Sequence, residues 1–154
     1  MAIQNILVVC VGNICRSPMA EYFLKHENPQ LKIDSAGLSA MVDYAADDKA
    51  IQCMDQFNID MRPHVAKQIN ASLIKTADLI LVMSNNQAQH IEKQWPFAKG
   101  KVFRLGHWKN HNVADPYQHD QAFFDLTCRN IQSFIADWKL HFYIITILTY
   151  ESKF

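Results

Sequence analysis

The stretch Cys10-Val11-Gly12-Asn13-Ile14-Cys15-Arg16-Ser17 sets a potential nucleophile six positions before a potential anion clamp. Gly12 and Asn13 are the residue types that tolerate left-handed backbone angles. A loop that uses such angles turns successive N–H groups inward and makes an anion nest. Arg16 can fork onto two phosphoryl oxygens. Cys10 would lie at the floor of the nest, where the donors that bind phosphate also favour its thiolate. Ser17 could give that sulfur a further hydrogen bond. A thiolate so placed can attack phosphorus in line without a metal, giving a cysteinyl-phosphate, while Arg16 and the loop amides hold the shifting charge. The other reading of Cys10 is a small buried hydrophobe, as free cysteines often are.

Such chemistry needs a proton for the leaving group and then a base for water, and one carboxylate can serve both. Asp115, in Ala114-Asp115-Pro116-Tyr117, is the candidate, with Pro116 fixing the backbone beside it. The competing meaning of Asp-Pro is the start of the last helix. A Gly-Lys-Ser/Thr phosphate loop is absent from the sequence, which disfavours nucleotide hydrolysis.

The elements around these residues alternate. Ile3 to Val9 is β-rich and almost wholly apolar, as a strand covered on both faces reads. Further strands are predicted over 31–35, 78–83 and 101–105. Ser17 is a plausible N-cap with Pro18 at the first helical position. Asp47 can cap a helix to about Phe57, and Ser84 another to about Gln94, before Pro96. Phe124, Cys128, Ile131, Ile135 and Trp138 recur at helical steps and read as the core stripe of a late amphipathic helix. The order implies an α/β fold, a small doubly wound four-stranded parallel sheet with helices on both faces in flavodoxin-like order. Such sheets bind ligands beyond the carboxyl ends of their strands, where the loop from Cys10 to Ser17 would lie.

Composition sets the outer limits. The chain has 154 residues, 49% of them apolar, with 15 basic and 15 acidic side chains. That is one domain with a sizeable core. Zero formal charge argues against a nucleic-acid partner. Four cysteines, at 10, 15, 53 and 128, are too few for a disulfide scaffold at this length. The first five residues lack a basic start, and no apolar run approaches the about 20 residues of a membrane span. A cytoplasmic setting with reduced cysteines is expected, without membrane insertion.

Together, Val8 to Pro18, Ser35-Ala36-Gly37 and Asp115-Pro116-Tyr117 resemble a low-molecular-weight protein tyrosine phosphatase. The resemblance covers residues 3 to about 139. Gly106-His107-Trp108, with the Asp-Pro-Tyr that follows, is similar to the bacterial branch associated with capsule and exopolysaccharide export. It implies Cys10 as nucleophile, Arg16 as phosphate clamp and Asp115 as general acid and then base. Val11, Gly12, Asn13, Ile14, Cys15 and Ser17 would form the phosphate loop, with Ser35 and His64 bracing it. For His64 the plain alternative is a core or surface histidine. The resemblance also implies that Cys15 can form a protective disulfide with Cys10, and that Met41 and Tyr117 are substrate walls. Ile14 is aliphatic, as in tyrosine phosphatases, where arginine phosphatases carry threonine. No cofactor and no metal are implied. The implied partner is a phosphotyrosine protein, the tyrosine-rich tail of a membrane tyrosine kinase that controls polysaccharide export.

Three departures from the family stand out. Lys67 replaces a usual arginine, Asp43-Tyr44-Ala45 replaces a loop that is often Gly-rich, and residues 140–154 do not resemble the family. The domain is therefore drawn over 1–139. The tail, rich in Ile, Tyr and Thr, is expected to be a strand and not a separate domain. Three other functions match the pattern less well. Arsenate reduction shares the loop but needs relay cysteines, and Met83 to His90 holds none. A non-catalytic phosphate-binding module would leave the three chemical roles unused. His107 and His111 have a metal-like spacing but no acidic or cysteine partner at ligand spacing.

Overall fold

The computed structural model describes residues 3–152, except the side chains of 145–147, 149 and 150. Its core is a four-stranded parallel sheet. Strand β1 (Asn5–Cys10) pairs with β2 (Lys32–Gly37) from Asn5↔Lys32 to Cys10↔Gly37, and on its other edge with β3 (Leu79–Val82). Strand β4 (Val102–Arg104) adds to β3, giving the order β2-β1-β3-β4. The chain leaves β1 towards one edge and later returns to its other side. The end of β1 is thus the switch point of the sheet, and the loop from Cys10 starts there.

Both faces of β1 are buried, as its unbroken apolar run requires. Ile6, Val8 and Cys10 point to a core built with α1 (Arg16–Glu27), α2 (Asp48–Asp55) and α5 (Gln121–Glu151). Leu7 and Val9 point the other way, to a core that includes Ile74 of α3 (Ala71–Thr76) and Ile91 of α4 (Asn85–Gln94). The predicted stripe of α5 is buried in full, from Phe124 through Cys128, Ile131 and Ile135 to Trp138. Asp47 and Ser84 cap α2 and α4, each accepting a backbone N–H in the first turn. Helix α3 has its own cap, Asn70, and only six residues, too few for a periodic signal in the sequence.

Two local expectations give way. Helix α1 starts at Arg16 with Cys15 at its N-cap and no side-chain cap. The Ser17 hydroxyl is held elsewhere, against Cys10 and Asn13. The second concerns the tail, which is not a strand: α5 continues unbroken to Glu151. No glycine or proline interrupts residues 121–151. Adding a residue to an existing helix fixes one residue per hydrogen bond, whereas a new strand needs an edge to pair with. That advantage overrides the β-branched composition. Among the described residues, no helix is long and apolar enough to cross a membrane.

Candidate active site

The loop after β1 is shaped by what its carbonyls do. Cys10 O accepts from Leu38 N, Val11 O from Ser39 N, and Gly12 O from Met41 N. Asn13 O accepts from the His64 ring nitrogen Nε2 at 2.7 Å. Ile14 O accepts from Asp47 N, and Cys15 O from Met19 N. Six successive carbonyls are thereby drawn outward, which leaves the N–H groups to line the inside of the turn. Gly37 permits the approach of the 37–41 segment: a Cβ there would lie 2.4 Å from the Val11 carbonyl oxygen. The left-handed residue of the loop is Asn13, at φ 57°. Gly12 does not adopt a left-handed angle, and a Cβ on it would reach only ordinary contact with Met41 and Ile14.

Asn13 is fully buried and its amide is saturated. Its Oδ1 accepts Lys67 N–H at 3.0 Å, which fixes the orientation of the group. Its Nδ2 therefore donates to Ser17 Oγ at 2.8 Å and to Ser35 Oγ at 2.9 Å. Ser35 in turn donates to Glu21 Oε1 at 2.5 Å, and the other Glu21 oxygen meets the Lys25 ammonium. Ser17 Oγ accepts from Asn13 and keeps its own proton to offer to Cys10 Sγ, 2.9 Å away, when that sulfur is a thiolate. The chain of hydrogen bonds thus ends on the sulfur. Glu21 escaped the sequence reading. No local signal marks it, because its role depends on Ser35, which lies on another element.

Arg16 is buried beside this loop, and Nη1 donates to Val113 O at 3.0 Å. Val113 N is bonded to Met83 O at the end of β3, so the guanidinium is tied to the sheet through the segment that leads to Asp115. Arg16 Nη2 lies 3.5 Å from Asp115 Oδ2, whose side chain is 52% exposed. Asp115 Oδ1 accepts Tyr117 N–H, closing a short turn around Pro116. The last helix begins only at Gln121, so the Asp-Pro pair stands in a loop at the site.

One cavity of about 180 Å³ collects these groups. Its lining holds Cys10, Val11, Gly12, Ile14, Cys15, Arg16, Met41, Asp115 and Tyr117, all expected from sequence, and Ser39, which was not. Asn13, Ser17, Ser35 and His64 stand behind the loop and brace it. Burial, and next the Asp47 carboxylate, push the Cys15 thiol above its ordinary range. Lys67 pairs with Asp34 on the surface at 2.6 Å. His107 lies edge-on to Phe103 and Trp108, and His111 stacks on Phe134. Among the described residues, no group of three His, Cys, Asp or Glu is placed to hold a metal.

This geometry suits displacement at a small tetrahedral oxyanion, with a nucleophile below, a guanidinium at the side and a carboxylate at the mouth. Residues 5–142 match the family described as low molecular weight phosphotyrosine protein phosphatase. The chain is 65% identical over 141 residues to the low molecular weight protein-tyrosine-phosphatase Ptp of Acinetobacter johnsonii, covering 92% of this chain and 99% of the relative. Its fold is similar to the Erwinia amylovora tyrosine phosphatase AmsI, with a TM-score of 0.88 and 37% identity over 90% of this chain and 93% of the other. It is similar also to Vibrio vulnificus Wzb, solved in complex with benzylphosphonate, with a TM-score of 0.86 and 32% identity over 89% and 97% of the two chains.

Proposed function

The chain belongs to the low molecular weight phosphotyrosine protein phosphatase family, and from that premise we propose how its residues divide the hydrolysis of phosphotyrosine. The Cys10 thiolate attacks phosphorus as the bond to the tyrosyl oxygen breaks. Protonated Asp115 gives that oxygen its proton, so tyrosine leaves neutral and a cysteinyl-phosphate remains. Asp115, now a carboxylate, takes a proton from water. The water oxygen bonds to phosphorus, and the Cys10 sulfur departs as a thiolate. Arg16 and the loop amides hold the equatorial oxygens in both steps. Asn13, Ser17, Ser35 and His64 keep the loop in shape, and Met41 and Tyr117 flank the tyrosyl ring. The observation that carries this reading is one small cavity lined by Cys10, Arg16 and Asp115, with Ser17 directed at the sulfur.

The substrate follows from depth and wall. The sulfur shares its slot with the aliphatic and aromatic side chains of Ile14, Met41 and Tyr117. A phosphotyrosine ring spans such a slot, whereas a phosphoserine ester is too short to bring its phosphorus to the sulfur. We take the catalytic domain as residues 1–139, with 140–154 an appendage to it, and we place the enzyme in the cytoplasm. The physiological substrate is the tyrosine-rich cytoplasmic tail of a membrane tyrosine kinase, whose dephosphorylation resets polysaccharide export. This partner rests on the likeness to the export-associated branch.

Hydrolysis of a phosphotyrosine peptide, with phosphoserine and phosphoarginine peptides beside it and EDTA throughout, tests the reading. Turnover of phosphotyrosine alone, lost in Cys10→Ser, is the expected result. Absence of turnover by folded, reduced enzyme overturns it. A phosphorylated kinase-tail peptide that is not turned over, while a generic phosphotyrosine peptide is, removes the proposed partner and leaves the chemistry.

A further inference from the structure

Asp115 is weakly held by its own contacts, one hydrogen bond from Tyr117 N–H and a 3.5 Å approach to Arg16. Its reach is set further back, by the segment 105–114 that follows β4. That segment closes on itself: His111 N donates to Gly106 O at 3.0 Å, and a Cβ on Gly106 would lie 2.3 Å from the His111 carbonyl oxygen. Arg104 spans the closure, donating from Nη1 to Asn112 Oδ1 and from Nη2 to Asn110 Oδ1. Helix α5 holds the closed loop. Leu105 O accepts the Trp138 indole N–H at 2.8 Å, Lys109 donates to Ser133 Oγ, and His111 stacks on Phe134. Trp108, in the single turn His107–Lys109, lies flat on His141, with ring centroids 3.4 Å apart and planes 6° from parallel. We propose that Trp108 and His141 are positioning residues for the general acid: their stack fixes the root from which Asp115 reaches the leaving group. The proposal rests on the phosphatase reading and adds to it the first turn of the tail, where His141 stands.

Trp108 is 44% exposed, so it is not a core residue, yet its flat face is used within the chain. It also meets Trp138 edge to face, with centroids 5.3 Å apart, an arrangement that aromatic pairs favour. The imidazole beneath it is itself fixed. Its Nδ1 donates to Asp137 O at 2.8 Å, which aims the ring from the helix backbone. On the far side of the loop, Val113 N donates to Met83 O and Val113 O accepts from Arg16. The same segment therefore leads to both the acid and the clamp. A loop has no ladder of its own to stiffen it, so its precision comes from the rigid element it rests on. Proton transfer needs heavy atoms about 2.6–3.2 Å apart, and a misplacement of about 1 Å can cost on the order of 10²-fold. Among the described residues, none past 139 lines the catalytic cavity. His141 acts on the site through Trp108.

Steady-state kinetics of the full chain on phosphotyrosine and on para-nitrophenyl phosphate test it. The ratio kcat/KM covers the steps up to departure of the leaving group, and a nitrophenolate departs with little need of a proton. Trp108→Ala and His141→Ala should each lower kcat/KM on phosphotyrosine roughly tenfold, and on the nitrophenyl ester by less than about twofold. The two esters are compared within one variant, so a lower folded fraction cancels. His141→Phe keeps a flat ring and should hold phosphotyrosine turnover within about twofold of wild type. Trp108→Ala added to Asp115→Asn should be no slower on phosphotyrosine than Asp115→Asn alone, since an absent acid cannot be misplaced. Equal losses on both esters overturn the proposal, as does a double variant whose losses multiply. His141→Phe as slow as His141→Ala removes the stack as the cause and overturns it too. Wild-type turnover that Trp108→Ala leaves unchanged overturns this inference alone. Wild type inert on both esters overturns the phosphatase reading and this inference with it.

Discussion

The phosphate loop and the segment that carries Asp115 meet across one cavity, yet they are built in opposite ways. From Cys10 to Cys15 every backbone carbonyl has a partner, and the one left-handed residue is saturated by four hydrogen bonds through its side chain and carbonyl. Asp115 stands in a loop, half exposed, with one backbone hydrogen bond and a long contact to Arg16. The difference matches their tasks. The loop must already hold its donors where charge accumulates, since reorganising them during reaction would cost what they provide. The acid must reach a proton on a leaving group and later on water, so its carboxylate has to remain near solvent.

The largest effects should separate the two regions by kind. Cys10→Ser removes the attacking sulfur and should abolish turnover, by on the order of 10⁴-fold or more. Because the cradle survives, the variant should still bind a phosphotyrosine peptide, measurable by calorimetry. Loss of binding along with turnover would mean that the cradle depends on the sulfur, and the contrast would fail. Asp115→Asn should lower kcat by about 10²- to 10³-fold on a phenolic ester. The loss should shrink on an ester whose leaving group is acidic enough to depart without a proton. A loss independent of the leaving group would remove Asp115 as the acid. Its stability should change by less than about 0.5 kcal/mol, as for other exposed positions.

A cradle residue behind the reacting atoms should behave differently. Asn13→Ala strips donors from Ser17 and Ser35, orphans the Lys67 N–H, and puts a Cβ residue without a local side-chain bond at φ 57°. Thermal or urea unfolding should show a loss of about 2–4 kcal/mol, from the unmade buried bonds and the left-handed backbone together. Turnover should fall as well, because Ser17 is no longer held to donate to Cys10. Stability unchanged within 0.5 kcal/mol would show the brace to be incidental.

The two loop cysteines sharpen the point by reactivity. Burial and the Asp47 carboxylate hold the Cys15 thiol protonated well above neutral pH, and the hydrogen bond Cys53 shares with Cys128, then burial and the Asp125 carboxylate, do the same for Cys53. At pH 7, limited iodoacetamide should therefore label Cys10 first, detected by peptide mass, and phosphate should protect it. Equal labelling of Cys10 and Cys15 would contradict an activated sulfur at position 10.

What the sequence could disclose follows from the range over which each signal acts. The strand order and the site loop were readable because an apolar run, a Cys-to-Arg spacing and two helix caps are local patterns. The stripe from Phe124 to Trp138 was readable because four steps of a helical period rarely arise otherwise. Glu21 was not, since its meaning depends on Ser35, which only the pairing of β1 with β2 brings near. Ser39 enters the cavity through the same pairing. The tail's β-branched composition points to a strand, and only the helix already running into it makes it helical. Ser17 reads both as a cap and as a donor to the sulfur, because the two roles use the same hydroxyl.

The smallest effect is the most discriminating for the cradle. Lys67 stands where the family usually has arginine, and its side chain joins Asp34 in a pair half exposed on both sides. Such pairs contribute about 0.2–1 kcal/mol and less in salt. What the cradle takes from this residue is the backbone N–H that Asn13 Oδ1 accepts, and any residue but proline supplies it. Lys67→Ala and Lys67→Arg should therefore leave kcat unchanged and shift stability by less than about 1 kcal/mol. Lys67→Pro should reproduce the Asn13→Ala defect, because it removes the N–H that orients the amide. If alanine were as damaging as proline, the side chain and not the backbone would be the brace, and the orientation of Asn13 would have to be set by Ser17 and Ser35 alone.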